Sequence, residues 1–247
     1  MKILGIDTTT DILSLAIVES KKIIFDYMVS TPEITHSSML VLSLREIMKI
    51  TRVNINELGG IAVSIGPGSF TGLRVGLATA KGLAFSLSIP IIGVNSLDAY
   101  ALRWNELPGI LCPIIKARQD DYYFTFFKKE KNNDRLIRLE DYQCLDWMSI
   151  NRIFDKYNEK IFVFGEGLGE VISDNQTKYF KEDKVVLVVR EQEPPGARNI
   201  ALMGQERLLQ NKEDDVYKIS PFYIKKSAAE QKRKELKIRQ KDINQDD

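Results

Sequence analysis

Residues 61–101, IAVSIGPGSFTGLRVGLATAKGLAFSLSIPIIGVNSLDAYA, constrain the fold more than any other stretch of this 247-residue chain. Ile61, Ala62, Val63 and Ile65 form a short apolar, partly β-branched run bounded by glycines, the pattern of a buried strand. Gly66, Pro67 and Gly68 then combine one fixed φ with two positions free to take φ > 0, so the chain turns sharply. Ser69 or Thr71 can cap the helix that begins there, because a side-chain oxygen accepts an amide hydrogen that has no intrahelical partner. Stepping roughly 100° per residue gathers Leu73, Gly76, Leu77, Ala80, Leu83, Ala84 and Leu87 on a core side. The opposite side holds Val75, Ala78, Thr79, Gly82, Phe85 and Ser86, with only Arg74 and Lys81 charged. A solvated face normally carries more long charged side chains, so this second face is expected to pack too. Pro90 ends the helix, and Ile91, Ile92 and Val94 open another buried strand.

The chain reaches that stretch through a strand at 3–6, a polar turn at 7–11 and further strands at 12–18 and 23–29, a meander that precedes any helix. The turn reads Asp-Thr-Thr-Thr. Its hydroxyls could donate to a phosphate while the carboxylate holds a metal or water, or it is an ordinary Asx-type turn. The glycine turn is open to the same two readings. A helix N-terminus attracts anions, yet no Gly-Lys-Ser/Thr follows, so it is not a Walker loop, and the glycines serve either an anion or only the corner. Asp7, Thr8, Thr9, Gly66, Gly68 and Ser69 are therefore the candidates for a vestigial nucleotide pocket.

Residues 35–50, THSSMLVLSLREIMKI, read as a helix with Leu40, Val41, Leu44, Ile47 and Met48 on one apolar arc and Met39 and Leu42 outside it. A second apolar patch on a helix calls for a second neighbour, within the fold or on another subunit. His36, the chain's one histidine, stands at its start in a packing, capping or catalytic role. A metal site around a single imidazole would need carboxylates or thiols, and none is spaced for it, so no metal and no cofactor is expected.

The charge balance of 35 basic against 34 acidic residues gives no global field toward nucleic acid or an anionic membrane. Cys112 and Cys144 form no close-spaced motif, which fits a reducing compartment. The start, MKILGIDTTT, runs directly into a strand without a signal peptide, and no apolar run is long enough to span a bilayer. A soluble, cytoplasmic protein is expected. A helix starts within 95–102, and 104–109 reads as a linker, which places a domain boundary there: a first lobe at 1–105 carrying the partner-binding helices, and a second at 106–224. The second half supplies strands at 110–115, 122–127, 161–164 and 185–189, a glycine-rich stretch FGEGLGEV that could feed a helix, and a helix at 197–210. Residues 225–247 carry eight basic and five acidic side chains and few apolar ones, so a mobile or marginally helical tail is expected.

GPGSFTGLRVGLATAKGLA followed by IPIIGVNSLDAYA resembles the signature of the bacterial TsaB (YeaZ) proteins. ILGIDTTT, ITHSSML, KARQDDYYFTFF and SPFYIKKSAA extend the resemblance, in order, over nearly the whole chain. It implies an α/β fold of two sugar-kinase/Hsp70/actin-like (ASKHA) lobes, a non-catalytic paralogue of the TsaD family. The implied role is threonylcarbamoyl modification of adenosine beside the anticodon of tRNAs reading codons that start with A. Its implied partners are a TsaD-like catalytic subunit, which holds the metal, a TsaE-like ATPase, and tRNA through the complex. Self-association as a homodimer would cover the same surface when the partner is absent. The interface would use His36, Met39, Leu42, Arg74, Val75, Ala78, Thr79, Gly82 and Phe85. Where the catalytic relatives place two metal-binding histidines four residues apart, this chain has Ser96 and Tyr100, and neither can replace a neutral imidazole. Lys116, Ala117 and Arg118 stand where TsaB proteins usually show Asp-Ala-Arg. The alternatives are an ASKHA-type nucleotide-binding phosphotransferase and a peptidase with His36 as its only candidate base.

Overall fold

The computed structural model describes residues 1–30, 36–130, 135–173, 183–189 and 196–224, with the side chains of His36 and Ser37 set aside. The expected tail, 225–247, lies outside the described residues.

Strands β1 (Lys2–Asp7), β2 (Ile12–Glu19) and β3 (Lys22–Ser30) form the meander expected before the first helix. They are followed by α1 (His36–Thr51), β4 (Leu58–Gly66), α2 (Phe70–Leu87), β5 (Ile91–Asn95) and α3 (Ser96–Arg103). The strands make one sheet in the order β3-β2-β1-β4-β5. The meander is antiparallel, and β1, β4 and β5 run parallel because a helix crosses over between each pair. The central strands β1 and β4 are buried on both faces, so they read as near-continuous apolar runs. Leu4, Ile6, Ile61 and Val63 point to a core closed by Leu40, Leu44 and Ile47 of α1 and Leu77, Ala80 and Ala84 of α2.

The second sheet contains β6 (Ile110–Lys116), β7 (Asp121–Phe124), β8 (Phe127–Lys129), β9 (Leu136–Arg138), β10 (Gln143–Asp146), β11 (Ile161–Gly165) and β12 (Val185–Leu187). Helices α4 (Trp147–Phe154) and α5 (Leu168–Ser173) accompany it. Its main path is β10-β7-β6-β11-β12, with β8 and β9 added on the far half of β6. Counting from β6 as the first strand, order and direction repeat those of the first sheet: three antiparallel strands, then two parallel ones. The chain is thus two lobes of one topology, the ASKHA arrangement implied by the resemblance.

Two departures from the sequence expectation bear on how the lobes are built, beside the shortening of the strand expected at 185–189 to Val185–Leu187. The strand expected at 122–127 is broken at Thr125 and Phe126. β7 pairs with one half of β6 and β8 with the other, and between them the Thr125 hydroxyl donates to the Glu140 carbonyl at 2.6 Å. The second departure concerns the expected lobe at 106–224. Helix α6 (Ala197–Leu209) returns to the first sheet, where Ile200 and Ala201 pack with Ile3, Ala62, Ile92 and Val94. Gly5 and Gly204 bring strand and helix so close that a Cβ on either would collide, with the Ala197 carbonyl and the Ala62 side chain respectively. The reason is that the second face of β1 and β4 must be covered, and α3, eight residues long, is too short to do it alone. α3 is instead wedged between lobes: Ala99 faces the first sheet, while Leu97, Tyr100 and Ala101 pack with Leu111, Ile115, Phe127 and Phe164 of the second.

After α6 the chain runs as a strap beside α2. Asp214 N–H donates to the Ile91 carbonyl and its carboxylate accepts from Gly93 N–H. Lys81 of α2 donates to the Tyr217 and Ile219 carbonyls at 3.3 and 3.2 Å. Phe222 N–H ends the strap on the Ile65 carbonyl at 2.7 Å.

Candidate partner interface and interlobe cleft

The sequence placed six residues in a nucleotide pocket, and the fold brings all six together where the β1–β2 turn meets the start of α2. Asp7, Thr8 and Thr9 are each 1% exposed. Oδ1 of Asp7 accepts from the Thr9 amide at 3.1 Å and the Thr9 hydroxyl at 2.7 Å, an Asx turn closed on itself. Ser69 caps α2, its Oγ accepting from Gly72 N–H at 3.2 Å, and its own N–H donates to the Thr9 carbonyl at 2.7 Å. The Thr8 hydroxyl donates to the Gly72 carbonyl at 2.7 Å. Gly66 has φ +109°, as the sharp turn requires. The remaining glycines of this helix start serve contact: a Cβ on Gly68 would press on Thr9, and one on Gly72 or Gly76 on Thr8. Here the corner reading prevails over the phosphate-loop reading, since the turn of β1–β2 already occupies the cradle.

Oδ2 of Asp7 makes no hydrogen bond among the described residues. Burial pushes this carboxyl above its usual range, with Thr9 and the Gly196 amide at the start of α6 working against the shift. Across the cleft, Glu166 follows β11 in the other lobe. Its own burial, then the charges of Asp11, Asp7 and Glu170, push it up to about 7. The phosphates of a nucleotide would thus enter a field of four carboxylates, which counts against the phosphotransferase reading. Lys116, where the resemblance had led to an aspartate, pairs with Glu170 and lies 4.7 Å from the centroid of the Tyr122 ring. Among the described residues, no group of three or more His, Cys, Asp and Glu is disposed to hold a metal ion. Glu166 was not singled out from the sequence. Its only signal was its place in the glycine-rich FGEGLGEV stretch.

The helices α1 and α2 lie side by side, and between them runs a groove of about 510 Å³. Val41, Leu44, Arg45 and Met48 of α1 and Thr79 and Leu83 of α2 line it, and Leu4 lies at its floor. Of the residues expected at an interface, Leu42 is 48% exposed and Phe85 62%. Ala78 and Gly82 are also exposed, and a Cβ added at Gly82 would meet nothing within 4 Å. Three assignments change. Met39 and Val75 are partly buried against the core of the first lobe, while Val41, read as part of the core arc, is 61% exposed. On α1, Leu40, Leu44 and Ile47 fill the core, and Met39 rather than Val41 packs beside them. Arg74 sits toward the N-terminal end of α2 against Phe70 and Tyr223, and Phe85 meets Tyr217 of the strap edge-on at 6.0 Å. Nothing in the sequence pattern announced that the strap would supply part of this face. The side chain of His36, and with it the peptidase alternative's base, lies outside the described residues.

Ser96 and Tyr100, where the resemblance implied lost metal ligands, are 0% and 1% exposed. The hydroxyl of Ser96 hydrogen-bonds that of Ser64 at 2.8 Å, and Tyr100 belongs to the core between lobes. No described helix is long and apolar enough to cross a membrane.

A family model described as TsaD, tRNA N6-adenosine threonylcarbamoyltransferase, matches residues 30–233. The tRNA threonylcarbamoyladenosine biosynthesis protein TsaB of Bacillus subtilis is 27% identical over 234 residues, covering 94% of this chain and 97% of that protein. The TsaB protein of Haemophilus influenzae is 25% identical over 91% of this chain and 94% of its own length. A tRNA N6-adenosine threonylcarbamoyltransferase of Fervidobacterium nodosum is 31% identical over 54% of this chain, but the match spans only 44% of that enzyme. Among solved structures, YeaZ from Pseudomonas aeruginosa superposes with a TM-score of 0.74 at 21% identity, covering 90% of this chain and 99% of that one.

Proposed function

This chain belongs to the TsaD family of tRNA N6-adenosine threonylcarbamoyltransferases, the relatives it matches over more than nine-tenths of its length include TsaB proteins, and from that premise we propose that it is the non-catalytic subunit of the modifying complex. Its role is in tRNA threonylcarbamoyladenosine biosynthesis. In this reading it works in the cytoplasm, where it binds and stabilises a TsaD-like subunit that performs the transfer. The pair then recruits a TsaE-like ATPase and the tRNA.

The observation that carries the reading is the surface of α1 and α2. Val41, Leu42 and Phe85, each about half or more exposed, flank an apolar groove beside the bare backbone at Gly82. An apolar surface of this kind is unfavourable in water and lets a second helix pair approach closely. Leu42, Ala78, Thr79, Gly82 and Phe85 form the partner face, with Val41 added and with Met39 and Val75 supporting it from beneath. The same face, self-complementary about a two-fold axis, joins two copies of the chain when no partner is present. Absence of catalysis is supported by Ser96 and Tyr100, whose side chains are closed inside the core and are not metal ligands of the imidazole kind.

Mass analysis of tRNA nucleosides tests the function directly. Depleting the protein from cells is expected to remove threonylcarbamoyladenosine, and re-expression to restore it. An unchanged nucleoside profile after depletion overturns the reading.

A further inference from the structure

Where the start of α2, the second lobe and the end of the strap meet, two guanidinium–aromatic stacks stand next to each other. In the first, Phe70 stacks on Tyr223 with centroids 5.1 Å apart and planes at 29°. Arg74, one helical turn along, lays its guanidinium 3.9 Å from the Phe70 centroid, and its Nε donates to the Tyr223 hydroxyl at 3.3 Å. In the second, Arg138 lies 4.1 Å over Tyr142, which meets Phe222 edge-on at 5.4 Å. Phe222 and Tyr223 are consecutive and join the two stacks, and the Phe222 amide is tied to the Ile65 carbonyl at the end of β4. The platform is therefore held by both lobes. Phe222 and Tyr223 are 37% and 38% exposed, and Arg74 and Arg138 are exposed. Arg138 also hydrogen-bonds Tyr142, whose hydroxyl donates to Asp98 at 2.7 Å, so the charge of Asp98 reaches Arg138 as well.

We propose that this platform is a contact surface for an unpaired stretch of RNA. The inference rests on the tRNA-modifying role proposed above and deepens it, by giving this chain its own RNA contact. A base exposes a flat π face that adds to a column of rings and guanidinium planes, and the phosphate beside it meets the exposed guanidinium groups of Arg74 and Arg138. A duplex hides those faces within its own stack, so the surface selects loops and unpaired ends. An apolar helix or strand of a protein offers nothing to the two exposed guanidinium groups, whereas RNA meets rings and cations together. The sequence continues from Ile224 straight into Lys225 and Lys226, which adds positive charge at this end of the chain.

The test is titration of a labelled RNA hairpin carrying an anticodon loop with the full chain, alone and with its catalytic partner. The same RNA annealed to its complement serves as the paired control. The wild type is expected to prefer the loop. Tyr223→Ala should weaken loop binding roughly ten-fold, while Tyr223→Phe keeps most of it. Arg138→Ala, on an exposed strand, should also weaken binding and lower the salt dependence by about one phosphate contact; if one variant fails to fold, the other decides. Equal affinity for loop and duplex overturns the proposal, as does unchanged loop affinity in both alanine variants. Loss of co-elution with the catalytic subunit while RNA affinity persists also overturns it, since the platform would then be a protein contact. If depletion removes the modified nucleoside while the variants bind RNA normally, the tRNA-modifying role stands and this surface falls. If depletion leaves the nucleoside in place, the role itself falls.

Discussion

Two glycines of one helix face opposite demands. A Cβ at Gly72 would run into the Thr8 carbonyl, which is backbone and cannot move aside, whereas at Gly82 it would meet nothing within 4 Å. Gly72→Ala is thus expected to destabilise the protein by about 1–3 kcal/mol or more, lowering the thermal midpoint by several degrees. Gly82→Ala removes a helix-interior glycine at no steric cost and is expected to stabilise the isolated chain by roughly 0.5–1 kcal/mol. Thermal unfolding of the two variants beside wild type checks both. The opposite signs also separate a glycine kept for the corner from one kept for a surface.

At the level of elements, α1, α2 and the strap act together. Leu42→Glu changes a side chain that is 48% exposed, so the isolated chain should keep its fold and melting behaviour. At a closed apolar interface the unpaired carboxylate should cost about 2 kcal/mol or more, enough to abolish co-elution with the catalytic subunit. Unchanged co-elution would remove this face from the proposed interface. Met39→Glu would not separate these effects, because Met39 packs on the core of the first lobe. The strap has its own anchor: Arg207 donates to the Gly93 carbonyl at 2.7 Å and to the Asp214 carboxylate at 3.1 and 3.3 Å. Arg207→Ala should loosen residues 211–224 and lower stability by roughly 1–2 kcal/mol, since the site is partly open to water. Amide hydrogen exchange in the strap is the measurement, and unaltered protection would refute the anchoring role.

For the whole molecule, the telling contact is between lobes. Glu166 in the second lobe is pushed from its ordinary 4.5 to about 7 by burial and by Asp11, Asp7 and Glu170. The folded state therefore holds this proton more tightly than the unfolded chain does. Its stabilising effect is complete below pH 4.5 and is lost as the pH rises through about 7, by up to about 3 kcal/mol. The melting temperature of wild type should decline across that window, and Glu166→Gln should flatten the decline. A parallel pH profile in the variant would show that the cleft is not where the proton is held.

The sequence by itself determined the local order of the first lobe: the β1–β2–β3 meander, the Gly66–Pro67–Gly68 corner, the Ser69 cap and the core-facing side of α2. These rest on contacts between near neighbours, where period, capping and permitted φ leave little choice. It also supplied the Asp7 to Ser69 cluster, because turn chemistry concentrates there. The tertiary structure decided what depends on distant residues meeting. That includes the return of α6 to cover the second face of β1 and β4, the exchange of Met39 for Val41 at the surface, the carboxylates gathered around Glu166, and the rings of Phe222 and Tyr223 beside Arg74 and Arg138. The physical reason is that burial and charge are properties of an assembled neighbourhood. Residues far apart in the chain carry no mark of the partner that folding will give them.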